Sequence, residues 1–205
     1  MKNEKPKYTL PDKNLLDTAQ SELMVWQPEY PVIVLGQSNT AEKSVLLEKA
    51  LRDGIPVMQR PSGGEAVLLS PKMLIVSLIL KGKNLPKSSE LFQRVNDLLI
   101  SAFDATNLPN VTYRGISDLA INDKKILGSS IYRKPETLFY HAVINYSEAP
   151  EIIASYLKHP GREPDYRVGR DHAEFVTTLV NEGLKLSLPE LMELLRLKLK
   201  ELLPN

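Results

Sequence analysis

The chain has no cysteine. That excludes a disulfide scaffold, thiolate-ligated zinc or iron–sulfur, and any mechanism that parks an acyl group on a thiol. It also lacks an excess of one charge: 26 basic residues stand against 25 acidic ones, a formal net charge of +1. There is no global field to attract nucleic acid or an acidic membrane, and no local basic patch stands out. Long hydrophobic runs are missing as well. The longest, Met73 to Leu80, contains Ser77 and falls far short of a membrane span. The polar start MKNEKPKYTLPDKN has no apolar signal-peptide core. The three histidines, His141, His159 and His172, show no metal-ligand spacing, so no metal site is expected. These absences predict a cytoplasmic protein with neither a nucleic-acid nor a membrane partner.

What is present suits a single core. Apolar residues make up 42% of 205, enough to bury one sizeable interior. No repeat or Gly/Ser linker divides the sequence, so residues 1–205 read as one domain. Residues 1–11 read as an extended arm, and no separate C-terminal accessory domain is expected. Periodicity predicts a helix over Asn14–Trp26, a strand at Tyr30–Leu35 and a helix over Lys43–Asp53 stopped by Gly54. Strands follow at Pro56–Arg60, Glu65–Leu69 and Leu74–Leu80, then a helix from about Glu90 to Ala105, capped by Ser88 or Ser89. Strands near Val111–Tyr113, Asp118–Ile121, Lys125–Ile131 and Leu138–Asn145 come next, with Asn122-Asp123-Lys124 as a hairpin connection. Helices are expected at Ala149–Leu157, Ala173–Leu179 and, after the capping box Ser187-Leu-Pro-Glu190, at Leu188–Leu203. The fold class is α+β: one mixed, largely antiparallel sheet flanked by helices.

Four segments carry chemistry. In Arg60-Pro-Ser-Gly-Gly-Glu-Ala-Val-Leu-Leu69, paired glycines allow close backbone approach, and an arginine and a serine stand ready for an anion. The same pattern also describes a plain hairpin turn with a solvated arginine. Lys125 follows Asp118 across a turn and precedes Gly128-Ser129-Ser130. A lysine over a sheet face can hold a carboxylate or phosphate as a point charge, and an exposed turn lysine fits equally. His141 sits in an apolar strand, facing a pocket or hydrogen-bonded in the core. The loop Pro160–Arg170 carries Arg162, Arg167 and Arg170, as a charged cover over an anionic substrate or as an ordinary solvated loop.

In this order the segments resemble the lipoate–protein ligase family, whose catalytic domain is shared with octanoyltransferases and biotin protein ligases. Arg60-Pro-Ser-Gly-Gly-Glu-Ala-Val is similar to its Arg-x-Ser-Gly-Gly-Gly-x-Val signature. Asp118-Leu-Ala and Asp123-Lys-Lys-Ile-Leu-Gly-Ser-Ser resemble its Asn-Asp-Leu and Lys-x-Ser-Gly-Ser segments. Phe139-Tyr-His141 matches the histidine strand, and Phe175-Val-Thr-Thr-Leu179 the Val-Thr-Asn-Leu segment. The likeness runs from Asn14 to about Leu179.

The resemblance implies a ligase that joins lipoate or octanoate to AMP at the expense of ATP and Mg2+, then passes the acyl group to a lysine of a lipoyl carrier domain. Lys125 would be the central catalytic lysine. Arg60, Glu65, Ala66, Val67, Leu68 and Asp118, with Lys125, would line the nucleotide site. Ser62, Gly63, Gly64, Gly128, Ser129 and His141 would shape the acyl pocket. Three departures are specific to this chain: Glu65 stands where the family has its third glycine, Leu69 where it has a histidine, and Lys72-Met73 in the stretch that follows. A carboxylate at 65 pointing inward would repel phosphates. Such an enzyme either works alone or requires an accessory subunit. Two other readings remain: a cysteine-independent octanoyl or lipoyl transferase, and a non-catalytic module that binds lipoate or a lipoyl carrier.

Overall fold

The structure, a computed structural model, describes residues 7–108 and 110–204. The first part of the expected arm therefore lies outside the described residues, and from Pro11 to Asp17 the chain forms a 3-10 turn.

The longest apolar run becomes the central strand. β1 (Glu22–Trp26) and β5 (Met73–Lys81) pair, and β9 (Thr137–Asn145) lies on the other side of β5. β8 (Lys124–Lys134), β7 (Asp118–Ile121) and β6 (Thr112–Arg114) complete a six-stranded sheet in the order β1-β5-β9-β8-β7-β6. Each neighbouring pair is antiparallel. Successive side chains of a strand face opposite sides, and both sides of β5 are covered. Leu74, Val76, Leu78 and Leu80 join Leu138, Tyr140, Ala142 and Ile144 of β9 in one core. That core is closed by Leu91, Val95 and Leu99 of α3 (Ser88–Asp104) and by Leu191, Leu195 and Leu199 of α6 (Leu188–Leu199). Burying each such leucine contributes roughly 1.5–3 kcal/mol, so these two stripes supply most of the adhesion on this face.

The opposite face carries Met73, Ile75 and Val143 against a second sheet. There β2 (Val32–Leu35) is flanked by β3 (Val57–Gln59), parallel to it, and β4 (Val67–Leu69), antiparallel. The site forms between the two sheets.

The α+β class and the antiparallel sheet between helices are as expected; several local expectations are not. The chain builds two sheets rather than one. Pro61-Ser-Gly-Gly64 is no hairpin, because β3 and β4 both pair with β2 and not with each other. The helix expected over Asn14–Trp26 is absent: Glu22–Trp26 is a strand in register with β5, Glu22 opposite Ile79 and Trp26 opposite Ile75. Ladder pairing to the central strand outweighs a helical spacing of apolar residues that suited either state. The helix at Lys43–Asp53 splits into α1 (Ala41–Ser44) and α2 (Leu47–Arg52), because Val45 between them bridges to Leu157. α4 is short, Pro150–Ala154. α5 ends at Phe175 (His172–Phe175), since β-branched Val176, Thr177 and Thr178 favour extended chain. Among the described residues, no helix is long and apolar enough to cross a membrane.

Candidate active site

The geometry of Lys125 follows from an irregularity in the sheet. Asn122 and Asp123 both take positive φ, 49° and 59°, the two-residue turn that joins twisted antiparallel strands. Beyond it the register slips: Ala120 faces Lys125 but Leu119 faces Leu127, leaving Ile126 as the extra residue of a bulge. Ile126 drops into the helix-side core, and Lys125 turns to the space between the sheets. Its backbone is pinned from the far side, where Thr177 N–H donates to Lys125 C=O at 3.0 Å. Its Nζ lies 2.8 Å from Asp118 Oδ1, and Asp118 Oδ2 accepts from the Tyr166 hydroxyl at 3.0 Å. Burial and the Asp118 charge raise the Tyr166 pKa, so this phenol stays a donor. The lysine stem folds back over Gly128, where an added Cβ would sit 2.6 Å from its Cε and 2.7 Å from its Nζ.

Arg60 is committed elsewhere than the sequence suggests. It is 6% exposed, and its guanidinium donates to Ser62 Oγ (3.1 Å), Val34 C=O (3.1 Å), Gly63 C=O (2.8 Å) and Glu65 C=O (2.8 Å). It works as an internal strut that shapes the glycine turn. Burial lowers its pKa to about 10, still far above neutrality, so the strut stays charged. Gly36, not singled out in the sequence, is equally required: a Cβ there would lie 1.8 Å from Gly64 C=O. Gly64 itself takes φ +90°, and Gly63 C=O also accepts from the Ser130 hydroxyl at 2.9 Å, tying the turn to β8. Glu65 is not left facing the cleft unpaired. Its carboxylate accepts from Asn39 Nδ2 at 3.0 Å and from the Arg162 backbone N–H at 3.2 Å.

Behind the turn runs a buried polar chain. Ser62 Oγ and His141 Nε2 are 2.6 Å apart, and His141 Nδ1 lies 4.0 Å from Asp12 Oδ2. Tyr8 and Ser77 donate to Asp12 at 2.7 and 2.8 Å, and Trp26 Nε1 donates to Ser77 Oγ at 3.2 Å. The order serine–histidine–aspartate resembles a nucleophilic triad, but the chemistry differs. Ser62 is 1% exposed and already accepts from Arg60, and the histidine–aspartate gap exceeds a hydrogen bond. Burial and the Arg60 charge push the His141 pKa down to about 3, so the ring is neutral and structural in kind.

The space between the sheets is a cavity of about 230 Å3. Trp26, Met73, Ile75, Val143, Ile153 and Leu157 give it an apolar wall. Ala66, Val67 and Leu68 line it from the glycine-turn side, with Arg60, Gly64 and Glu65. Lys125, Gly128, Ser129 and His141 line it from the large sheet. Ser62, Gly63 and Asp118 stand behind these residues and support them. Among the described residues no group of three or more His, Asp or Glu side chains is placed to hold a metal ion.

Sequence reasoning missed Trp26, hidden in an expected helix, and Tyr166. The loop Pro160–Arg170 is largely exposed but tied together around a buried Arg167. Arg170 donates to the carbonyls of Asp123, Tyr166 and Arg167, and Arg167 Nε donates back to Arg170 C=O. The aromatic residue among its arginines was the available signal.

Comparison with known proteins places the fold and the family. A probable lipoate-protein ligase A of Mycoplasma genitalium is 27% identical over 127 residues, covering 61% of this chain and 37% of that protein. The octanoyltransferase LipM of Geobacillus kaustophilus is 25% identical over 171 residues, covering 71% of this chain and 60% of its own length. The chain thus spans less than two thirds of the length of either relative. Among solved structures, the bipartite lipoate protein ligase of Thermoplasma acidophilum superposes with a TM-score of 0.79 at 19% identity, covering 93% of this chain and 75% of the other. A lipoate-protein ligase A bound with ATP gives 0.77 at 18% identity, covering 93% and 77%. The family model for the lipoyl protein ligase A/B catalytic domain matches residues 10–200, nearly the whole of both sheets and the cleft between them, and the chain belongs to that family.

Proposed function

We propose that this chain is a cytoplasmic ATP-dependent ligase that attaches lipoate or octanoate to a lysine of a lipoyl carrier domain. The observation that carries the reading is the Lys125 ammonium, 2.8 Å from Asp118 and facing an apolar cleft, in a chain with no cysteine. Without a thiol, the acyl group has no cysteine on which to wait, whereas activation as a mixed anhydride needs only placed charge. A carboxylate oxygen of the acid attacks the α-phosphorus of ATP, and the bond to the leaving pyrophosphate breaks. Lys125 balances the negative charge on the acyl and phosphate oxygens, held by Asp118, which Tyr166 steadies. The carrier amine then attacks the acyl carbon, the carbon–oxygen bond to AMP breaks, and the amine proton passes to solvent. Magnesium would enter with the nucleotide phosphates. The apolar wall from Trp26 to Leu157 suits a medium-length acyl chain.

The neighbour solved with ATP supports the nucleotide, and the one solved as a ligase with its E2 lipoyl domain supports the carrier. The latter being bipartite, an accessory subunit belongs to the proposal too. Likeness to an octanoyltransferase favours a second reading, direct transfer from an octanoyl carrier without ATP. Incubation with ATP, magnesium and either acid should release pyrophosphate and give the acyl-adenylate by mass spectrometry. Lys125→Ala should lower this by about 100-fold or more with an unchanged circular dichroism spectrum. Full activity in that variant rejects the role of Lys125; transfer that proceeds with ATP removed selects the second reading.

A further inference from the structure

The apolar wall of the cleft has a near end and a far end. Ile153 and Leu157 belong to a cluster packed by Val176, the residue that bridges to Lys125. Trp26, Val34, Leu69 and Ile75 belong to another cluster, and Tyr8 packs against that one. Across the large sheet, Gly128, Val143, Ile75 and Trp26 form one row of directly opposed residues. Strands lie about 4.8 Å apart, so this row runs roughly 14 Å from the glycine under the Lys125 ammonium to the edge strand. An eight-carbon acid laid along it has seven carbon–carbon bonds of about 1.5 Å, a zigzag reach of roughly 9 Å. With an ion-pair distance of about 2.8 Å to Lys125, its last carbon meets the far end. Of the described residues lining the cavity, Tyr8 alone comes from the chain ahead of β1. Its hydroxyl donates to Asp12 Oδ1 at 2.7 Å, and Asp12 Oδ2 accepts at 2.8 Å from Ser77 Oγ, on the strand of Ile75. Trp26 Nε1 donates to the same serine at 3.2 Å. Asp12 is 0% exposed, and burying a carboxyl is costly. Here it anchors a phenol ring in the cavity wall.

We infer that Tyr8 sets the length of acyl chain this cleft accepts, standing as a fixed stop just beyond the eighth carbon. The anchor is what makes the ring a stop. A leucine or methionine in its place would re-pack around an added methylene. The Tyr8 ring cannot swing aside without breaking its hydrogen bond and leaving the buried Asp12 short of a donor. Tyr8 itself is only half-buried, so removing the ring opens the cleft towards solvent and leaves no sealed void. That the acid is the substrate rests on the ligase reading; the residue and the limit go beyond it. Octanoate and lipoate, which share an eight-carbon reach, fit within the stop, and a ten-carbon acid does not.

Calorimetry with hexanoate, octanoate and decanoate reads the limit without any nucleotide. In the wild type, affinity should rise about fourfold per methylene from hexanoate to octanoate. Decanoate should then bind about tenfold more weakly than octanoate, the scale of overpacking a fixed wall. In Tyr8→Ala the order should reverse, with decanoate about tenfold tighter than octanoate as two further methylenes find contact. Tyr8→Phe keeps the ring without its anchor and should fall between the two. A ring that served only the fold would weaken all three acids together and leave their ratios unmoved. The same octanoate-to-decanoate ratio in wild type and Tyr8→Ala therefore overturns the stop and leaves the ligase reading standing. Wild-type protein that binds decanoate as tightly as octanoate overturns the stop as well. A Tyr8-dependent limit in a protein that releases no pyrophosphate from ATP keeps the stop and overturns the ligase reading. Folded wild type that binds none of the acids overturns both. Should Tyr8→Ala fail to fold, Tyr8→Leu replaces it, and a wild-type ratio in that variant overturns the stop.

Discussion

At the scale of single residues, the cleft is arranged around what small side chains leave open. Gly128 is needed for the lysine and not for its own backbone: its φ is ordinary, and the only atoms an added Cβ would crowd below 3 Å belong to the end of Lys125. Gly128→Ala therefore separates fold from function. A methyl group should fit by pushing the flexible lysine stem aside, with stability near wild type or raised by up to about 1 kcal/mol through the stiffer unfolded chain. Displacing the ammonium by an ångström should lower acyl-adenylate formation by about 100-fold. Denaturant unfolding and pyrophosphate release on the same preparation check this; parallel loss of both would mean that the glycine serves the sheet. Glu65 shows the converse. It stands in place of a glycine, yet its charge is answered by Asn39 and the Arg162 amide, so the substitution links the glycine turn to the arginine loop.

At the scale of elements, α3 contains an inconsistency that should be correctable. Asn96 lies on its buried face at 1% exposure, and neither its amide nitrogen nor its oxygen has a hydrogen-bond partner among the described residues. Leaving such a group unsatisfied costs about 1–3 kcal/mol. Asn96→Leu, close in volume, should raise the midpoint of thermal unfolding by roughly 2–8 °C without changing activity; an unchanged or lower midpoint would mean the amide is satisfied in solution. α3 was otherwise plain in the sequence, as were β2, β5, β8, β9 and the capping box of α6, because long apolar stripes and turn residues agreed there. Glu22–Trp26 was not, because five residues of an edge strand carry too little pattern to oppose a helical spacing, and only pairing with β5 decides. The site divides the same way. Lys125, Asp118, Gly128 and the glycine turn were legible as motifs. That Arg60 would be consumed by four internal acceptors, and that Tyr166 would reach Asp118 from 48 residues away, depends on contacts no local pattern records.

At the scale of the whole molecule, the buried chain from Tyr8 through Asp12 and His141 to Arg60 joins the first described turn, the large sheet and the glycine turn, so its protonation should govern stability. His141 has its pKa lowered to about 3 from 6.5 by burial and then by the Arg60 charge. His172 is lowered to about 4, by burial and then by Arg167. Below pH 6.5 the unfolded chain takes up protons at these rings while the folded protein does not, so stability should fall as pH drops toward those lower values. Asp12, raised by burial, acts in the opposite sense: the stability it contributes is complete below the ordinary carboxylate range and declines as pH rises through its folded value. Near pH 5 to 6 the histidines should dominate, each adding a slope of up to about 1.4 kcal/mol per pH unit. His141→Gln retains an amide able to meet Ser62 but cannot titrate, so its unfolding free energy should fall less steeply between pH 6.5 and 4.5 than that of the wild type. A variant profile parallel to the wild type would place the acid sensitivity outside this chain of buried groups, and with it the idea that one polar network ties the glycine turn to the rest of the fold.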